Sequence, residues 1–514
     1  MRSGLLVLVS VFACPAASQQ IWDIWQTTWD RANLFTSLAP STPVNFVSPG
    51  AAASADIVVT ETTTFQTING FGGSLTDSAA LVLNNLKSKN AANYWSILGH
   101  MFSVADGADA AGFSYLRVPI GASDFSAKMY SLDDVSGDTA FNHFNINNAP
   151  AALFSVIRDI LSINPALKVH ILPWSPPAWM KTTGTMDGGT IQSGLIGAYP
   201  TYLLKAVQGF QNQGISVYAI SVQQNEPENS NPTYPTCTMT PATEGQIGAA
   251  LRTLLNNNGL SSVKLIGYEA CIFLPQRLCP QHNWVDAGGY PVTLMQDDGG
   301  AYDGVAFHCY AGTYTNQDSF HSAFPKKASR NIYLTECSGT FGSDWWSDIK
   351  WYMDNLWIGS LEHFAEVGLM FNLALDGNGE PLLPGTNSCG AGCRPIVTVN
   401  SDGSFSYNQE FYALAQASKA IIPKDAGGPW GQRIGVSVQG SLGWALRVGA
   451  YSTKRLSSSD WNRYSLVVMN WDDGASTSWD PVPVTATIEF RGMQATYTFP
   501  VGKFDHHLLK RLPF

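Results

Sequence analysis

Two apolar runs in this chain stop at a glutamate. Val217–Val222 is followed by Gln223-Gln224-Asn225-Glu226-Pro227-Glu228, and Ile332–Leu334 by Thr335-Glu336-Cys337. A carboxylate at the end of a buried strand is costly unless it is paired or used. Two of them facing one cavity, though 110 residues apart in sequence, could cleave a glycosidic bond. One would be a protonated acid toward the leaving oxygen, the other an ionised nucleophile at the anomeric carbon. Taken singly, either glutamate is more often a surface or ion-paired carboxylate. Two features shift the balance: both end apolar runs, and Asn225 directly precedes Glu226, where an amide can hold a sugar 2-hydroxyl. Glu228, beyond Pro227, is the second candidate for the acid.

Other polar residues within and just beyond the runs fit the same chemistry. Arg117 lies inside Leu116-Arg117-Val118-Pro119-Ile120-Gly121. A charge in an apolar strand needs a carboxylate partner, and Glu336 is the natural one; the plain alternative is a purely structural ion pair. Asp124 follows closely and could accept hydrogen bonds from sugar hydroxyls. Trp174 and Trp179 flank Ser175-Pro176-Pro177-Ala178, and either could be a sugar platform or core packing. His308 and Tyr310 end another run; the tyrosine could donate to the nucleophile, and the histidine reads as scaffold. The chain carries 16 Trp, enough for a large aromatic core with platforms besides.

Positioning such groups requires a scaffold with many strand ends. Apolar runs recur at Thr67–Gly72, Ser114–Pro119, Lys168–Pro173, Val217–Val222, Val263–Tyr268, Gly304–Cys309, Ile332–Glu336 and Gly368–Leu373. Helical patterns separate them, among them Ala79–Phe102, Ala151–Ile163, Tyr199–Gln213, Pro241–Asn257 and Ser347–Val367. Eight such units predict a (β/α)8 TIM barrel over 69–422, whose reacting groups sit at the C-terminal strand ends. After Pro423 short strands alternate with Gly, Ser and Asp turns, predicting an attached antiparallel β-sandwich over 423–514. Residues 19–68, with strand-like Val44–Val47 and Asp56–Val59, are expected to add strands to that sandwich.

Arg2, the apolar run Leu5–Ala13 and small residues to Ser18 predict a signal peptide over 1–18 and hence an exported protein. No segment is apolar over the length of a bilayer, so no membrane anchor is expected. With 29 Lys and Arg against 39 Asp and Glu, and no basic block, nucleic acid is an unsuitable partner. No CxxC pair or HExxH helix appears, so neither metal nor cofactor is expected. Cys389 with Cys393, and Cys271 with Cys279, could close short loops; Cys309 and Cys337, in apolar runs, read as buried thiols.

Phe71-Gly72-Gly73-Ser74-Leu75-Thr76-Asp77, Arg117-Val118-Pro119-Ile120-Gly121, Pro173-Trp174-Ser175-Pro176-Pro177-Ala178-Trp179-Met180-Lys181, Asn225-Glu226-Pro227, His308-Cys309-Tyr310 and Thr335-Glu336-Cys337 occur in this order. Any one is weak; together they resemble glycoside hydrolase family 30, from about 65 to 510. The resemblance implies a retaining barrel with an attached sandwich, Glu226 as acid/base and Glu336 as nucleophile. Asn372-Leu373-Ala374-Leu375-Asp376 and Cys389…Cys393-Arg394-Pro395-Ile396-Val397-Thr398 look like the fungal endo-β-1,6-glucanase branch, which implies a β-glucan substrate and a monomeric enzyme. Xylanase, xylobiohydrolase and glucosylceramidase relatives are the alternatives. Phe371 stands where many members carry Trp; it can stack on sugar but lacks the indole donor. A non-catalytic wall-glucan-binding protein would keep the platforms and lose a carboxylate, and both are present. A structural or adhesive protein would show repeats, and none is seen.

Overall fold

In the computed structural model residues 19–38, 44–48, 55–224, 226–228, 231–272, 284–297, 300–324, 330–386, 388 and 392–508 are described, without the side chains of 226–228, 270–272 and 503–508. Eight parallel strands close a barrel: β1 (Gly70–Ser74), β2 (Tyr115–Ile120), β3 (Lys168–Pro173), β4 (Ala219–Ser221), β5 (Lys264–Gly267), β6 (Gly304–His308), β7 (Asn331–Glu336) and β8 (Ala365–Met370). Each pairs with the next in the chain, and β8 returns to β1 through Met370↔Gly73. The strands are buried on both faces, which is why they read as near-continuous apolar runs. Tyr115, Ala219, Ile266, Ala306, Tyr333, Val367 and Leu369 form a separate buried cluster, a packed interior rather than a pore. Gly72 is demanded by strand approach: a Cβ there would lie 1.9 Å from the Tyr115 carbonyl oxygen.

The helical layer differs from the sequence reading at two places. Ala79–Phe102 is two helices, Asp77–Lys89 and Ala91–Phe102. Asn90 separates them: its φ is −148°, and its side chain accepts from the Asn93 N–H as the second helix's cap. The stretch read as helix over Ser347–Val367 is an α-helix, Trp345–Trp351, a π-helix, Tyr352–Ser360, and then the start of β8 at Ala365. Phe364, at φ 76°, makes the turn between them.

The second body is a mostly antiparallel ten-stranded sheet. Its central ladder runs Gln20–Thr28, Gly502–Leu508, Arg463–Asn470, Leu446–Thr453, Gln432–Val438, Ile57–Thr67, Val484–Phe490 and Met493–Phe499. Gln20–Thr28 is a strand the sequence reading did not identify; it pairs antiparallel with Gly502–Leu508 (Ile24↔His506). Ile57, Leu466, Val468, Ile488 and Phe499 fill its core. The sheet is pinned to the barrel where the Trp346 indole N–H and the Lys350 ammonium both reach Asp473 Oδ2, at 2.8 and 2.5 Å.

Cys309 and Cys337, expected as separate thiols, form a disulfide. Both directly follow barrel strands whose last residues, His308 and Glu336, are in register, and the Cys309 N–H donates to the Glu336 carbonyl. Strand content can be read from one sequence, but register between neighbouring strands cannot, and register makes this bond. Cys393 is also disulfide-bonded, and its expected partner Cys389 lies outside the described residues. Cys279 lies outside them too, whereas Cys237 is a buried free thiol.

Candidate active site

Glu336 is the last residue of β7, at the C-terminal mouth of the barrel. It is 6% exposed, and its two oxygens are held by three donors from different elements. Arg117 of β2 donates from Nη1 to Oε2 at 2.8 Å, Gln224 from Nε2 to the same oxygen at 3.0 Å, and Tyr310 from its hydroxyl to Oε1 at 3.0 Å. A carboxyl that accepts this many bonds, one of them from a cation, is fixed in orientation.

Arg117 is fully buried and has a second carboxylate partner that the sequence reading missed. Its Nη2 donates to Glu269 Oε2 at 2.9 Å, two residues past the end of β5. Glu269 is fully buried as well, and accepts from Ser221 Oγ at 3.1 Å and Thr335 Oγ1 at 3.0 Å. His308 Nε2 and His170 Nε2 lie 3.4 and 3.6 Å from its oxygens. Burial pushes the Glu269 carboxyl up, but the Arg117 charge, and after it the His308 hydrogen bond, outweigh burial and hold the group well below the usual carboxylate range. His170 is pushed down to about 4, by burial first, and is therefore neutral near pH 7. The signal for Glu269 was in the sequence: it follows the apolar run Val263–Tyr268 just as Glu336 follows its own. Gln224 stood in view one residue before Asn225.

Aromatic residues wall the same mouth. The Arg117 guanidinium lies 5.0 Å from the Trp174 ring centroid, and Trp174 stacks with Phe371 at 6.1 Å and 22°. Phe371 donates its N–H to the Cys337 carbonyl, one residue from Glu336. Phe125, Leu172, Tyr234 and Leu375 belong to the same apolar cluster. Asp124 sits at its edge, 5% exposed, with its carboxyl pushed up to about 7 by burial and by the negative charge of Glu336. His308 is fully buried, and its Nδ1 approaches Glu336 Oε1 to 3.8 Å. Trp179 is placed differently: its indole N–H donates to the Asp133 carbonyl at 3.0 Å and its ring lies 6.0 Å from Phe141, so here it packs a loop.

Asn225 and the side chain of Glu226 lie outside the described residues. The backbone of Glu226 opens a short strand, Glu226–Glu228, that pairs in parallel with Ala270–Ile272 beyond β5. That backbone is two residues from Gln224, whose amide touches Glu336.

These residues match a known family. The model for the glycosyl hydrolase family 30 TIM-barrel domain matches residues 68–421. An endo-1,6-beta-D-glucanase of Neurospora crassa is 31% identical over 394 residues, covering 72% of this chain and 74% of the relative. Endo-1,6-beta-D-glucanase neg1 of Aspergillus fumigatus is 30% identical over 403 residues, covering 73% and 75%. Among solved structures, the endo-beta1,6-glucanase BT3312 superposes with a TM-score of 0.76 at 23% identity, over 95% of this chain and 99% of that one, a likeness of fold. The barrel, the glutamate at its mouth and the family match converge: this chain is a glycoside hydrolase and belongs to glycosyl hydrolase family 30.

Proposed function

We propose that this chain is an exported endo-β-1,6-glucanase that works with retention of configuration through a covalent glycosyl-enzyme. The observation that carries the chemistry is the Glu336 carboxyl, held in place by Arg117, Gln224 and Tyr310 at the barrel mouth beside the Trp174–Phe371 wall. An ionised, oriented carboxylate is suited to attack at an anomeric carbon. A sugar against the aromatic wall would present that carbon to Glu336, with Asp124 near its hydroxyls. Glu226 protonates the glycosidic oxygen as the bond to the anomeric carbon breaks and the Glu336 ester forms. A water then attacks the same carbon, gives its proton to Glu226, and Glu336 leaves as a carboxylate.

The substrate rests on the likeness to fungal endo-1,6-β-D-glucanases, 31% and 30% identical over most of both chains, and on the Cys393–Thr398 segment. Export rests on the Arg2 and Leu5–Ser18 pattern. The test is hydrolysis of linear β-1,6-glucan, xylan and a glucosyl-lipid side by side, with the first-formed anomer read by NMR. The reading expects gentio-oligosaccharides of β configuration from the first substrate. Faster cleavage of xylan removes the substrate assignment, and an α product removes retention. N-terminal sequencing of the protein from culture medium should begin at Gln19.

A further inference from the structure

The double displacement gives no task to Glu269, yet the molecule goes to some length to bury it as an anion. Tyr268 and Glu269 are consecutive non-glycine residues with positive φ, 76° and 39°, immediately after β5. That conformation is unfavourable for side chains of this size and persists only where the surroundings impose it. Here the Tyr268 N–H donates to Glu244 Oε1 at 2.9 Å, and Glu244 is itself buried and held by the Tyr290 hydroxyl at 2.8 Å. The kink lets Glu269 meet Arg117. The groups facing it are Arg117 and Tyr115 of β2, His170 of β3, Ser221 of β4, His308 of β6, and Thr335 with the neighbouring Glu336 of β7. Arg117 is the one permanent cation among them. The same guanidinium, through its other terminal nitrogen, holds Glu336.

We propose that Glu269 is a positioning residue that, by occupying half of the Arg117 guanidinium, fixes that side chain and divides its charge, so that Glu336 is kept ionised but still basic enough to attack. This deepens the proposed function and rests on Glu336 being the nucleophile. A guanidinium facing a single carboxylate favours that anion more strongly than one shared between two. An over-stabilised carboxylate is a weaker nucleophile toward the anomeric carbon. Removing the Glu269 charge should therefore move the acidic limb of the kcat/KM profile, which reports ionisation of the nucleophile, to lower pH and slow glycosylation. Weakening the other supports of Glu269 should do the opposite, because Glu269 would then draw harder on Arg117.

The test measures kcat and KM on linear β-1,6-glucan between pH 3 and 8 for the full chain and for Glu269→Gln, Glu269→Asp and Ser221→Ala. In parallel, each is incubated with 2,4-dinitrophenyl 2-deoxy-2-fluoro-β-glucoside and the labelled peptide is identified by mass spectrometry. Expected for Glu269→Gln is an acidic limb lower by about one pH unit and a kcat lower by about tenfold or more, with KM changed less than about twofold. Glu269→Asp keeps the charge and should leave the limb near its original position. Ser221→Ala removes one donor to Glu269 without touching Glu336, and should move the limb upward. It decides the matter if Glu269→Gln does not fold. A label on Glu336 together with an unmoved limb in the folded variants overturns the proposal while leaving the nucleophile in place. A label on another residue overturns the nucleophile reading, and the proposal with it.

Discussion

Replacing Arg117 by Leu exposes the electrostatic design of the mouth. The substitution leaves two carboxylates, Glu269 fully buried and Glu336 at 6% exposure, without their shared cation. Neutral donors remain: Ser221 and Thr335 on Glu269, Gln224 and Tyr310 on Glu336. Removing one partner from a buried ion pair costs about 3–5 kcal/mol, because the stranded charge has no solvent. The penalty should depend on pH with a definite sign. In the native protein the Glu269 carboxyl is held below its ordinary range, so its contribution to stability is present above about pH 4.3 and is lost as pH falls below that. In Arg117→Leu the counterweight to burial is gone, and the folded carboxyl shifts up. Such a group destabilises increasingly as pH rises above its unfolded value, and protonation on acidification relieves it. The stability gap between the two proteins should therefore be about 3–5 kcal/mol at pH 7 and shrink toward pH 5, by at most about 1.4 kcal/mol per pH unit for each carboxyl. Urea unfolding at pH 7, 6 and 5, followed by tryptophan fluorescence, measures it. A gap below about 1 kcal/mol, or one unchanged across that range, would refute the shared-cation account.

Glu336→Gln should lose turnover while remaining folded by circular dichroism, since the amide cannot form the glycosyl ester; normal hydrolysis of any glucan by this variant would remove Glu336 from the nucleophile role. Glu226→Ala should still form the intermediate from substrates with good leaving groups, and azide should rescue its slow deglycosylation as a β-glycosyl azide. If a folded, glucan-binding variant gives no azide product, Glu228 becomes the acid/base to test. Replacing both Cys309 and Cys337 by Ala opens a covalent loop with a sequence separation of 28 and should lower stability by roughly 3–4 kcal/mol in the loop-closure picture, with reduced kcat because both residues abut site residues. A double variant with unchanged thermal midpoint and turnover would remove the disulfide as a support of the site.

The barrel was legible because parallel strands covered on both faces must be apolar throughout, and helices between them must be periodic. Lys168–Pro173 has the same bounds in sequence and in structure. The last strand was harder. Glu366 interrupts its apolar run, so Phe364–Val367 reads as the end of an amphipathic helix. In the fold Glu366 accepts from the Asn69 side chain at 2.6 Å, and burial pushes its carboxyl up to about 7. The Asn90 break was missed for a related reason: apolar spacing continues across it, and only its side-chain cap betrays the boundary. The disulfide was misread because register is a property of two strands together.

The site divides along the same line. Residue types within and just beyond the apolar runs pointed to Glu336, Arg117, Tyr310 and Asp124, and these the fold brings together. The sequence invites pairing charges one to one, and so gave Arg117 a single partner. A closing barrel instead brings β2, β7 and the segment after β5 together at one mouth, and one arginine meets two carboxylates. The charge balance there has a chemical consequence. Arg117 contributes one positive charge, Glu269 one negative, Glu336 a second in the anionic form that the proposed attack requires, His170 is neutral, and Asp124 is largely protonated below about pH 7. In the proposed mechanism these groups leave an excess of negative charge at the mouth before any acid is added. A further carboxyl entering that field, as proposed for Glu226, finds its protonated form favoured, which is the form a general acid needs. Esterifying Glu336 removes one of those charges and weakens the bias, so the same carboxyl can then lose its proton and act as base. Sharing Arg117 between two carboxylates preserves that excess; an arginine devoted to Glu336 alone would cancel it.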